Sequence, residues 1–185
     1  MKSEETNKLG KNFFERNADA VARDLLGKEI VRETKDGKIM RARIVETEAY
    51  FDENDPASRA CQNGDLRETM KMDAGTLLVY GIHTNWMLNF VTGKREKAEA
   101  VLIRAIEPLN FDLRCSGPGL LTKSLEINKI LHKKSLFDLK NFGVEIRKKN
   151  KAGFEVIEDF RVGVKEDLPE KMRFYIKGNS FVSRK

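Results

Sequence analysis

The chain has 185 residues, of which 35 are basic and 29 acidic for a formal net charge of +6; this length suits one domain that buries roughly two thirds of its unfolded surface, and the basic excess favours an anionic partner such as nucleic acid. Cys61 and Cys115 stand with two histidines, His83 and His132, too few ligands for a zinc or iron–sulfur spacing, so a reduced, intracellular, metal-free protein is expected. There is no apolar run of about 18 residues, and the amino terminus is polar where a signal peptide would be apolar, which argues against membrane insertion and secretion.

Residues 1–11 are expected to form a disordered, charged tail and residues 12–185 a single domain. Asn17 can cap a helix that carries Val21, Leu25 and Leu26 and is closed by Gly27. Lys28 to Glu33 and Ile39 to Tyr50 read as strands joined at Asp36-Gly37, a dipeptide suited to a tight hairpin because both residues tolerate positive φ. The second strand contains the most telling stretch, Ile44-Val45-Glu46-Thr47-Glu48-Ala49-Tyr50. Alternation puts Ile44, Glu46, Glu48 and Tyr50 on one face. An ionised carboxylate taken out of water costs several kcal/mol or is forced to take up a proton, so two acids on such a strand point to chemistry. The competing reading is a strand that leaves the core, with both acids solvated at its end.

Phe51 to Asp73 is polar and holds Pro56 and Gly64. It reads as a long loop with one helical turn, and loops of that length in a compact domain tend to be functional. Thr76 to His83 and Trp86 to Val91 form a second hairpin, protruding, with His83, Thr84 and Asn85 at its tip. Val101 to Ile106 is a further strand, in which Arg104 shares a face with Leu102 and Ile106. Ser116-Gly117-Pro118-Gly119 opens a helix through Leu120, Leu121, Ser124 and Leu125, whose first N–H groups are available to an anion. Phe154 to Val164 and Met172 to Ile176 supply late strands. Strands dominate, helices are few and no βαβ alternation appears. The expected class is α+β, with a mainly antiparallel curved sheet and flanking helices.

Glu46-Thr47-Glu48-Ala49-Tyr50, Gly75-Thr76-Leu77-Leu78-Val79-Tyr80, Leu88-Asn89, Leu102-Ile103-Arg104-Ala105-Ile106-Glu107-Pro108-Leu109, Gly117-Pro118-Gly119, Arg161-Val162-Gly163-Val164 and Arg173-Phe174-Tyr175-Ile176-Lys177-Gly178 occur in that order. Together they resemble the alkyladenine (3-methyladenine, methylpurine) DNA glycosylase family, whose fold is also like the C-terminal domain of formyltransferases. The resemblance implies a monofunctional, cofactor-free enzyme of base excision repair. Such an enzyme acts as a monomer on double-stranded DNA and flips a damaged purine into a pocket. A base inside the duplex cannot be attacked at its glycosidic carbon, so it is extruded at a cost of a few kcal/mol, least for damaged or mispaired bases.

By the same resemblance Glu48 activates the attacking water, and Arg104 and the main chain of Val162 hold it. Tyr50 and Tyr80 sandwich the flipped base, and Asn89 screens the purine edge where a guanine amino group would clash. His83 stands where the family commonly has a tyrosine that wedges into the minor groove, with Thr84 and Asn85 beside it. Gly117, Gly119 and Lys123 fall at DNA-contacting positions. Arg59 falls where the family usually has a histidine that contacts the damaged base. A fixed cation there is unfavourable to a cationic base by roughly a few kcal/mol at an effective dielectric near 20, so Arg59 is expected either to turn outward to a phosphate or to favour neutral lesions such as hypoxanthine and ethenoadenine. The link from Leu109 to Ser116 is short, and Leu120 replaces a frequent lysine. Both departures predict a small DNA footprint drawn from Lys94, Arg95, Lys97, Lys123, Lys133, Lys134 and Lys177. Two other classes share the fold-level features: a hydrolase of another nucleoside or RNA substrate, and a non-catalytic nucleic-acid-binding module. Glu48 argues against the second, since a pure binder has no use for an acid facing phosphates.

Overall fold

Strand β2 (Ile39–Tyr50) organises the molecule. The computed structural model describes residues 7–138, 143–149 and 153–184. Around β2 lie β1 (Glu29–Glu33), β3 (Leu77–Ile82), β4 (Asn85–Thr92), β5 (Glu99–Pro108), β6 (Val144–Arg147), β7 (Val156–Asp159) and β8 (Arg173–Ile176). They run in the order β3-β4-β5-β2-β1-β6, with β8 beside β2 and β7 beside β8. Every pairing is antiparallel. One edge of β2 is covered by β5, while the other is shared: residues 39–43 pair with β1 and residues 46–48 with β8. The sheet therefore forks along β2. Helices α1 (Lys11–Phe14), α2 (Ala18–Leu25), α3 (Asp65–Met70) and α4 (Pro118–Ser124) complete the α+β, single-domain architecture.

Helix α2 packs its buried residues Ala18, Val21, Ala22 and Leu25 across β2 and β5. The Thr47 hydroxyl, on the helix-facing side of β2, donates to the Ala22 carbonyl at 2.8 Å. Asn17 occupies the N-cap position but makes no capping bond with its side chain. The Ala18 N–H instead donates to the Glu99 carboxylate at 2.9 Å, and Lys97 donates to the Asn17 side chain at 2.9 Å. A distant acid thus supplies the negative charge that a helix N-terminus favours. Gly27 ends the helix at φ +79, where a Cβ would meet the Phe154 ring at 2.7 Å.

The main core gathers Ala42, Ile44, Val45 and Ala49 of β2 with Val101, Ile103, Ala105 and Ile106 of β5, beneath the helices. Ile44 thus lies on the helix side, not beside Glu46 as strict alternation predicts. The cause is a register slip. Ile44 pairs with Ile106 but Glu46 with Ala105, and Glu46 with Ala105 but Thr47 with Ile103. Val45 is therefore an extra residue in β2 and Arg104 an extra residue in β5. Such bulges kink a strand and re-aim side chains. The same slip separates Arg104 from Ile106, which joins the core.

Other expectations need adjustment. Lys8 bridges to Arg147, and Leu9 is buried with its N–H on the Ile146 carbonyl at 2.9 Å. Ordered structure therefore begins before residue 12, while residues 1–6 lie outside the described residues. Strand β6, with Val144 and Ile146 buried, had no reading of its own in the sequence. In the second hairpin Ile82 pairs with Asn85, so the tip is His83-Thr84, with His83 at φ 53, and Asn85 already belongs to β4. The strand expected over Phe154 to Val164 is confined to Val156–Asp159. Beyond it Arg161 turns away from the sheet because its N–H and guanidinium both bond to Asp167.

Candidate active site

The face of the sheet turned from the main core carries the chemistry. Lateral pairings run Leu78–Asn89–Leu102–Glu48–Arg173 across β3, β4, β5, β2 and β8. Asn89 and Glu48 are thus two strand spacings apart, about 9–10 Å. On one side of this row, Tyr50 and Tyr80 pack on a small apolar cluster of Ala60, Met70, Leu78, Val91, Ala98 and Ala100. The cluster supports both rings from beneath.

Glu48 is fully buried. Its Oε2 accepts from the Tyr50 hydroxyl at 2.9 Å and from Arg104 Nη1 at 3.3 Å, and its Oε1 accepts from the Val162 N–H at 2.8 Å. Both acids of the strand are buried in the sheet and not solvated at its end. Burial pushes the Glu48 carboxyl above the ordinary glutamate value and nearby Glu46 adds to it, against the opposing pull of Arg104, the Val162 N–H and Tyr50. Burial, followed by the Glu48 charge, raises the Tyr50 hydroxyl well above an ordinary phenol, so Tyr50 remains a donor. Burial likewise raises Tyr80, although Arg59 and Asn89 oppose it. Asn89 is 2% exposed, and its side chain donates to the Leu78 carbonyl at 3.1 Å, which fixes its orientation.

The Val162 N–H is held in place by its neighbour. The Arg161 side chain is fully buried, paired with both oxygens of Asp55 at 2.6 and 2.7 Å, with Asp167 at 2.7 Å, and with the Ala49 carbonyl at 3.0 Å. Burial works against its charge, but Asp55 and Asp167 outweigh it and hold the guanidinium above its ordinary value. Its carbon lies 4.6 Å from the centroid of the Tyr50 ring. Asp55 in turn accepts from the N–H groups of Phe51 and Ala57, each at 3.0 Å, and so shapes the start of the long loop. At the loop's far end Asp65 accepts from His132 Nε2 at 2.9 Å, while His132 Nδ1 takes the Val79 N–H at 3.2 Å.

A sequence model of methylpurine-DNA glycosylases matches residues 12–180. The chain belongs to the methylpurine-DNA glycosylase family. A protein of Aeropyrum pernix named "Putative 3-methyladenine DNA glycosylase" is 40% identical over 182 residues, covering 95% of this chain and 93% of the relative. Proteins of the same name from Clostridium beijerinckii and Legionella pneumophila (strain Corby) are 36% and 38% identical, covering 96% of this chain and 99% and 98% of theirs. Among the described residues no helix is long and apolar enough to cross a membrane.

Set against the family pattern, the structure brings Glu48, Arg104 and Val162 together, with Tyr50, Tyr80 and Asn89 around them. Arg59 does not turn outward. Its guanidinium carbon sits 5.0 Å from the centroid of the Tyr80 ring, and it has no ion-pair partner among the described residues. His83, Thr84 and Asn85 are exposed. Their hairpin leans on α4: the Thr122 hydroxyl donates to the Trp86 carbonyl at 2.9 Å, and Asn85 packs so closely on Gly119 that a Cβ there would come within 2.7 Å of it. Gly117, at φ +159, precedes α4, and Lys123 is exposed on it. Sequence reasoning gave no role to Asp55, Arg161 or Arg173. Asp55 fell in the expected loop and Arg161 in the expected Phe154 to Val164 strand, and neither stretch signals that the two meet.

Proposed function

We propose that the protein is a monofunctional glycosylase that takes damaged purines out of duplex DNA and hydrolyses their N-glycosidic bond. The observation that carries this reading is the buried Glu48 carboxylate, with one oxygen on the Val162 N–H and the other on Tyr50 and Arg104. As the bond to the base lengthens, the sugar becomes oxocarbenium-like. A carboxylate at that point stabilises the positive charge and accepts a proton from water. The water oxygen bonds to the sugar carbon, the glycosidic electron pair leaves with the base, and the water's proton passes to Glu48. Among the described residues the cation at Glu48 is Arg104, with no lysine amine beside it to form a Schiff base, so the expected product is an abasic site.

Tyr50 and Tyr80 stack the flipped base, and Asn89, fixed by Leu78, reads its edge. An electron-rich ring attracts a cationic base by about 0.5–2 kcal/mol more than a neutral one. Arg161 behind Tyr50 is neutralised by two aspartates, whereas the unpaired Arg59 beside Tyr80 opposes a cationic base. The site therefore favours neutral lesions such as hypoxanthine and ethenoadenine more than the family pattern alone implies. One pocket with one wedge at His83 suits a monomer acting on double-stranded DNA inside the cell. Single-turnover release of free base from duplexes carrying 3-methyladenine, 7-methylguanine, hypoxanthine or ethenoadenine tests the reading. Wild type releases at least one of them, and Glu48→Gln lowers that rate by at least about a hundredfold while retaining binding. No release from any of the four would overturn it.

A further inference from the structure

The mechanism above uses Glu48 and leaves the second buried acid of the strand without a role. Glu46 is fully buried, and its own partners hold it rigidly. Its Oε1 accepts from Arg173 Nε at 2.6 Å and its Oε2 from the Ser183 N–H at 2.6 Å. Arg173 is itself tied to Asp159 at 3.0 Å and to the Arg184 carbonyl. Arg104 is held quite differently. Its Nη1 reaches Glu48 at 3.3 Å and its Nε lies 3.6 Å from Glu46 Oε1. That Nε is buried and makes no hydrogen bond among the described residues. The bulge that inserts Arg104 into β5 places it between the two carboxylates, where charge and not a close hydrogen-bond fork holds it.

We infer that Glu46 is a positioning residue: fixed by Arg173 and the chain's last residues, it keeps the Arg104 guanidinium over Glu48 and shares that guanidinium's charge with it. The inference rests on the glycosylase reading of this site. A lone arginine beside Glu48 would hold the carboxylate ionised but would also neutralise it as a base. Dividing the arginine between two acids leaves Glu48 more basic while the cation remains available to orient water or phosphate. The groups facing Glu48 are Glu46 and Tyr50 of β2, Arg104 of β5, Tyr80 of β3 and the Val162 N–H. Those facing Glu46 are Arg104, Arg173 and the Ser183 N–H, with Asp159 of β7 behind Arg173. Removing the Glu46 charge therefore leaves Arg104 and Arg173 less balanced, and Glu48 ionises at lower pH. A purely structural ion pair would change stability and, through its charge alone, the Glu48 titration, but it would leave the plateau rate unmoved. A folded Glu46→Gln protein with a plateau within twofold of wild type therefore overturns the inference.

The test follows the Glu48 carboxyl by carbon-13 NMR titration, a readout independent of turnover, in wild type and Glu46→Gln. Single-turnover pH profiles are recorded beside it on whichever damaged duplex the wild type processes. The Glu48 titration and the acid limb of the profile are expected to move down together by about one pH unit, and the plateau rate to fall by about tenfold or more as Arg104 loses its second anchor. An unmoved titration in a folded Glu46→Gln protein overturns the inference. A titration that moves in a protein releasing no base from any duplex instead sinks the glycosylase reading. If Glu46→Gln does not fold, Glu46→Asp keeps the charge and shortens the reach. It should leave the titration at the wild-type pH with a plateau at least about tenfold lower, and a plateau within twofold of wild type overturns the inference.

Discussion

Glu48 carries a cost that can be measured without any substrate. Its folded-state pKa lies above the ordinary glutamate value because burial outweighs Arg104, Val162 and Tyr50. A carboxyl shifted in that direction binds its proton more tightly in the native state. Its contribution to stability is fully present below the unfolded pKa and is lost as pH rises through the folded one. At neutral pH the wild type therefore pays for an ionised, buried base. Glu48→Gln escapes that loss, so its Tm relative to wild type should rise over the range above the ordinary glutamate value, at about 2–4 °C per kcal/mol for a chain of this size. Thermal melts of the two proteins across that range check the sign. A Tm difference that stays constant with pH would mean that Glu48 has no raised pKa. Arg161 shows the opposite economy: its charge is matched by Asp55 and Asp167, and it is placed to hold the Val162 N–H without titrating near neutrality.

At the scale of elements, the limits of β2 were legible because apolar residues recur along Ile39–Tyr50 and a turn dipeptide precedes it. The bulges at Val45 and Arg104 were missed, because their sign in the sequence is only a change of phase in the alternation, at the adjacent apolar pairs Ile44-Val45 and Ala105-Ile106, that strict alternation through Glu46 and Glu48 overrides. Asp55 and Arg161 are 106 residues apart, and neither local segment signals the other. The hairpin was legible from its two β-rich runs, but its turn fell one residue earlier than predicted because His83 accepts a positive φ. What positions that hairpin is its seat on α4. A Cβ at Gly119 would meet Asn85 Cβ and Cγ at 2.7 Å, so Gly119→Ala must displace the hairpin. DNA affinity is expected to fall about tenfold, equivalent to ~1.4 kcal/mol, with the single-turnover rate at saturating enzyme little changed. Anisotropy binding curves and saturating-rate measurements separate the two effects. Since alanine otherwise favours a helix by up to about 1 kcal/mol over glycine, a raised Tm with unchanged affinity would show that Asn85 yields freely.

Across the whole molecule, a net charge of +6 overstates what DNA can use. Of the cations considered from sequence, Arg95 is paired with Asp73, Lys97 with Glu99, Lys133 with Asp65 and Lys177 with Glu155. A cation already matched by a carboxylate releases fewer counterions from phosphate than a free one, so the salt dependence of binding should be shallow. Lys94 and Lys123 have no ion pair among the described residues, and Lys123 lies on α4, the helix that seats the hairpin. Each phosphate neutralised contributes about −0.9 to the slope of log affinity against log salt. Lys123→Gln should therefore flatten that slope by about one unit and weaken damaged and undamaged duplexes alike, because a phosphate contact carries no information about the base. Lys177→Gln, whose partner Glu155 becomes unmatched, should leave the slope unchanged. Salt titrations of both variants on one damaged and one intact duplex locate the footprint: a flattened slope for Lys177→Gln but not for Lys123→Gln would place the DNA along β7 and β8, away from the hairpin and α4.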